Sequence, residues 1–146
     1  MAIRSFIFIT LILTLPLALL AKQETLEEMI QHADSAQLKD QPKLYMEIAR
    51  NQLKEADKQF TVGNSEAAQA AVKNIVQYAQ RSADTSVQSG KRLKDTEIDL
   101  RKIADKLRDI NHTLTFEDQE PVKAAADKIE DMRTELLKRM FGKNKK

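Results

Sequence analysis

The chain has 146 residues, of which 32% are charged and 42% hydrophobic, with three glycines, three prolines, two histidines and no cysteine. That length fits one small domain, and the balance excludes a membrane-embedded bundle and a plainly disordered chain. Without cysteine there is no disulfide framework, no thiolate metal site and no cysteine nucleophile.

Charge is unevenly placed. From Lys22 to Leu137 there are 18 basic and 22 acidic residues, whereas Lys138, Arg139, Lys143, Lys145 and Lys146 follow with no acid among them. So even a balance argues against a nucleic-acid binder. Good helix formers dominate and the punctuation that strands require is scarce, which predicts an all-α fold. Aromatics are few beyond residue 21, so the core rests on Leu, Ile, Val, Met and Ala and is thin for its length.

In chain order, Arg4 precedes an apolar run from Phe6 to Leu20, broken only by Thr10, Thr14 and Pro16, and Ala18 and Ala21 form a small-residue exit. This is the pattern of a secretory signal peptide over residues 1–21, with export to a periplasm or secretion as its consequence. The alternative is an uncleaved N-terminal membrane anchor, although the run is short of the roughly twenty residues a spanning helix needs. The helical domain is then 22–141, with a basic tail over 142–146.

Thr25-Leu26-Glu27-Glu28 has the form of a capping box and opens the first helix. Pro42 starts a second, which runs to about Thr61 and carries Tyr45, Ala49, Leu53, Ala56 and Phe60 on one face. Gly63-Asn64 ends it and caps the next. From Glu66 an apolar and small-residue seam passes through Ser82, Ser86, Gly90, Leu93 and Leu100 to Leu114 with a repeat near 3.5. The stretch 84–90 is poor in helix formers, but the unbroken phase favours one coiled-coil-like third helix, roughly 70 Å long. A last helix is expected from about 119 to 141, with Pro121 in its first turn. The expectation is an elongated antiparallel bundle of about four helices, with the long third helix as its spine.

Candidate chemistry is sparse. Glu28 stands four residues before His32 and Asp109 three before His112, and neither pair repeats the Glu-x-x-His motif of di-metal bundles. A haem reading in the manner of the periplasmic four-helix cytochromes would use Met29, but the last helix has no histidine and there is no CxxCH. GxSxG, HExxH and glycine-rich phosphate loops are missing. Neither a cofactor nor a small-molecule substrate is therefore expected. Asn111-His112-Thr113 fits a glycosylation sequon, which matters only in a eukaryotic secretory route.

The segment Phe60 to Tyr78, FTVGNSEAAQAAVKNIVQY, resembles half of a tetratricopeptide hairpin. The resemblance implies two helices nested through small residues, though no repeat of about 34 residues follows. Leu114 to Gln119 has one residue too many for the LTxxQ motif of Spy-type periplasmic chaperones, and no second copy exists. The expected function is an exported interaction or scaffold protein without catalytic activity. It would pack helix faces with itself or a protein partner, through the seam of Ser82, Ser86, Gly90, Leu93 and Leu100. The alternatives are a weak contact of Lys138, Arg139, Lys143, Lys145 and Lys146 with an anionic membrane or envelope surface, and a metal-binding bundle.

Overall fold

Local chemistry marks each helix start. In the computed structural model, which describes residues 23–142, Thr25 accepts from the Glu28 amide at 3.3 Å and its own amide donates to Glu28 Oε2 at 2.9 Å. That closed capping box begins α1, Leu26–Ser35. Pro42 lies in the opening turn of α2, Gln41–Thr61, where its missing N–H costs nothing. Gly63, at φ 79°, reverses the chain, and Asn64 accepts from the Ala67 amide at 3.3 Å to start α3, Ser65–Ser89. Two more helices follow, α4 over Leu93–Asn111 and α5 over Phe116–Phe141; the described residues contain no strand. The expected signal peptide, and Lys143 to Lys146, lie outside the described residues.

The single long third helix expected from the sequence is two helices here, α3 and α4, so the bundle has five helices rather than about four. Gly90 and Arg92 both adopt the left-handed conformation, at φ 66° and 59°. Serine hydroxyls secure the turn: Ser86 Oγ donates to the Lys91 carbonyl at 2.6 Å, and the Lys91 amide donates to Ser89 Oγ at 3.2 Å. Side chains of this kind offer the backbone an alternative to continuing the helix. The last helix also begins earlier than expected, at Phe116, so Pro121 lies beyond its first turn.

The helices form two antiparallel hairpins, α2–α3 and α4–α5, laid side by side. Within the first, early residues meet late ones: Ser82 Oγ donates to the Pro42 carbonyl at 2.7 Å and Asn74 Nδ2 to Gln52 Oε1 at 3.0 Å. Between hairpins the order runs the same way in α2 and α4. Arg50 pairs with Asp99 at 3.1 Å and, two turns on, Asp57 pairs with Lys106 at 3.4 Å. So α2 runs parallel to α4, and α3 to α5; the spine of an antiparallel bundle is replaced by two stacked hairpins.

Burial repeats with the hairpins. Tyr45, Ala49, Gln52 and Ala56 of α2 have the same spacing as Thr96, Leu100, Ile103 and Leu107 of α4, all buried. Ala68, Ala71, Val72, Ile75, Tyr78 and Ser82 of α3 correspond likewise to Val122, Ala125, Ala126, Ile129, Met132 and Leu136 of α5. The two halves thus repeat at roughly fifty residues, each hairpin covering the apolar side of the other. Residues of all five helices join one hydrophobic cluster. Short α1 packs along α2, with Ala33 fully buried.

Candidate functional site

The interaction seam read from the sequence is occupied by the molecule itself. Ser82, Ser86 and Leu100 are fully buried, Leu93 is half-buried and Gly90 is exposed in the turn. Ser82 bonds the start of α2, and Ser86 also accepts from Thr96 Oγ1 at 3.3 Å. These small residues let α2 and α4 approach α3 closely, so the seam closes on this chain's own helices rather than presenting a face to another molecule.

A shallow groove lies elsewhere, along the outside of parallel α3 and α5, where Val76, Val87 and Ala124 reach the surface above buried core residues. Two adjoining hollows of about 310 and 370 Å³ run down it and share Lys128. Val72, Val76, Ala124 and Ala125 floor the first; Ala83, Val87, Met132 and Leu136 floor the second. Lys73, Lys128, Asp84, Asp131, Glu135 and Arg139 stand along the edges.

No family model, curated protein or solved structure matches this chain.

The polar clusters hold helices together. Tyr45 and Tyr78 stack at 6.2 Å, and the Arg81 guanidinium lies 5.3 and 5.6 Å from their ring centres. Asp34 of α1 accepts from Tyr45 Oη at 2.7 Å and from Arg81 at 3.0 Å, which ties α1 to both helices of the first hairpin. Burial, helped by the Asp34 carboxylate, pushes the Tyr45 phenol above its ordinary value of 10.0. In the second hairpin Arg133 of α5 donates to Glu97 at 2.6 Å and Glu130 at 2.7 Å. Those bonds raise its pKa further, and Glu97, with its side chain 13% exposed, makes this the most enclosed ion pair among the described residues.

The histidines do not converge. His32 is exposed on α1, with Nδ1 3.9 Å from Glu24, and His112 is exposed at the far turn after α4. Among the described residues no group of three or more His, Asp or Glu side chains could hold a metal ion, and no helix is long and apolar enough to cross a membrane.

Lys138 and Arg139 are exposed in the last turn of α5, where cations complement the helix dipole. The Glu135 carboxylate bonds Lys138 at 2.7 Å; the Lys138 ammonium is held above, and Glu135 below, its ordinary pKa by that contact. The fold also places the α3–α4 turn beside them: Gly90 and Leu93 share a hollow of about 350 Å³ with Lys138, Arg139 and Gly142. Sequence reading had no means of joining that turn to the tail, or of finding the α3–α5 groove. Both depend on α3 and α5 running in the same direction, which the number of turns between them decides.

Proposed function

We propose that this chain is an exported helical interaction protein without catalytic activity, which binds an amphipathic helix of a protein partner in the groove between α3 and α5. The groove is the observation that carries this reading: a strip several helical turns long between α3 and α5, floored by side chains of the core, with Val76, Val87 and Ala124 reaching its surface. Helix-in-groove recognition uses apolar anchors at three- and four-residue spacing. The rim is basic at Lys73 and Lys128, acidic at Asp84, Asp131 and Glu135, and basic again at Arg139, which suits a helix whose charged flanks run in the opposite sense. Export rests on the apolar run and small-residue exit of residues 1–21.

The partner helix can come from another protein or a second copy, and light scattering after size exclusion separates the two. Concentration-dependent dimers supports self-association, and a strict monomer at high concentration removes it. The groove itself is tested with Val76→Glu and Ala124→Glu, which put charge on the floor without touching fully buried side chains. A crosslinked complex that survives both substitutions in a fully helical protein overturns the reading.

A further inference from the structure

The fold gathers cations at one end of the bundle. The α1–α2 connection, the α3–α4 turn and the end of α5 all lie there, because α2 and α4 start where α1, α3 and α5 finish. That end carries Lys39, Lys91, Arg92, Lys94, Lys138 and Arg139, all exposed. Nearby acids are mostly engaged: Asp34 with Arg81 at 3.0 Å, Asp95 with Arg92 at 3.2 Å and Glu135 with Lys138 at 2.7 Å, while Asp84 accepts from Gln80 at 2.8 Å. Asp40 remains. Lys39, Lys91, Lys94 and Arg139 form no ion pair with any described residue. Phe141 projects among them, 67% exposed, and Leu38 is 42% exposed in the α1–α2 connection.

We propose that this basic end docks the protein upright on an anionic lipid bilayer, with Phe141 entering the headgroup region. The surface shares Arg139 with the rim of the α3–α5 groove, but Lys39, Lys91, Arg92 and Lys94 lie outside it, and lipid binding does not require the groove to be occupied. Unpaired cations flanking an exposed aromatic match a bilayer, which offers negative headgroups and apolar depth within a few ångströms of each other. The opposite end also exposes Phe116 and Val62, but it is acidic on balance, with Glu66, Asp109, Glu117 and Glu120 exposed around the other two turns beside Lys58 and Lys123. It points away from a negative surface in this orientation, so the charge along the bundle axis itself selects which end lands. The same asymmetry permits copies to stack head to tail, and that is the competing outcome.

The test is co-sedimentation of the chain from Lys22 onward, since the apolar run before it partitions into lipid unaided and all core residues lie between Leu26 and Met140. Vesicles of phosphatidylcholine with roughly one-third phosphatidylglycerol are compared with phosphatidylcholine alone. Binding is expected only to the anionic vesicles and weakens steeply with salt. The combined variant Lys91→Gln, Lys94→Gln, Arg139→Gln lowers the partition coefficient at least about tenfold, and Phe141→Ser lowers it about threefold. Lys58→Gln with Lys123→Gln, at the opposite end, leaves it unchanged. Circular dichroism checks that each variant stays helical; Arg139→Gln alone serves if the combined variant does not. Equal binding to neutral vesicles, wild-type binding by the turn variants, or equal loss from the opposite-end pair overturns the proposal. Salt-sensitive oligomers with no vesicle binding replace it with head-to-tail stacking.

Discussion

The two hairpins solve one packing problem with different residues. Where α4 buries Leu100, Ile103 and Leu107, α2 buries Ala49, Gln52 and Ala56; where α5 has Met132 and Leu136, α3 has Tyr78 and Ser82. The first hairpin is a close-packed, hydrogen-bonded pair. Its small side chains let the helix backbones approach, and Ser82 and Gln52 bond across the interface to Pro42 and Asn74. The second relies on interdigitating aliphatic side chains, with its polar contacts at the edge through Arg133. Interaxial distance follows the side chains at the contact, so the first hairpin adds cross-helix hydrogen bonds to a core that includes Met46, Ile48 and Ile75, while the second packs aliphatic side chains throughout.

That contrast predicts unequal responses to substitution, read as urea unfolding midpoints. Leu107→Ala, at a fully buried site, should cost about 3 kcal/mol, because lost transfer energy and a cavity add. The inverse exchange at the corresponding site, Ala56→Leu, should also destabilise, by about 2 kcal/mol, because the first hairpin has no room for the side chain the second one uses. A neutral Ala56→Leu would mean that the hairpins are spaced alike and the comparison fails. Ser82→Ala should cost about 1 kcal/mol; the Pro42 carbonyl loses one of two partners.

Gly90→Ala tests the joint between the hairpins. A Cβ there meets nothing within 4 Å, so any cost comes from the left-handed backbone at φ 66°. About 1 kcal/mol is expected, and no loss would show that the turn relaxes readily. This joint is also where sequence reading went astray. Three residues, Gly90 to Arg92, separate α3 from α4, close to one helical turn. The apolar phase therefore continues from Ser86 to Leu93 as if the helix did, even though the chain has reversed. Residue periodicity cannot register a reversal that costs a whole period. Other boundaries were legible because a local cause marks them: the Thr25–Glu28 box, Pro42 and Gly63–Asn64. The duplication escaped because its spacing is roughly fifty residues rather than the tetratricopeptide length, and only the Glu-x-x-x-Ala-Ala run at Glu66 and Glu120 and the isoleucines Ile75 and Ile129 betray it. Neither the groove nor the basic end was readable, since each joins segments far apart in sequence through helix direction. Lys138 and Arg139 were recognisable as exposed cations from composition alone; their neighbours Lys91 and Lys94 were not.

The smallest expected effect separates the hairpins by pH. Tyr45, 5% exposed, is a phenol of the first hairpin's core held by Asp34; its counterpart in the second is Thr96, which does not titrate. Burial and the Asp34 carboxylate favour the neutral phenol in the folded protein, against a lesser opposing pull from Arg81. The folded pKa is thus above the unfolded value of 10.0, and the stabilisation this provides is complete below pH 10. It is lost as pH rises through the folded value, because the unfolded chain sheds the proton first. Tyr45→Phe should cost about 1 kcal/mol at neutral pH through the lost hydrogen bond to Asp34. The gap between variant and wild type should then narrow above pH 10, while a substitution at Thr96 shows a gap that does not depend on this ionisation. A wild-type-to-Tyr45→Phe difference that stays constant from pH 8 to pH 11 would mean that the phenol is solvated as freely in the folded protein as in the unfolded chain, and that the Tyr45–Arg81–Tyr78 cluster does not seal α1 onto the first hairpin.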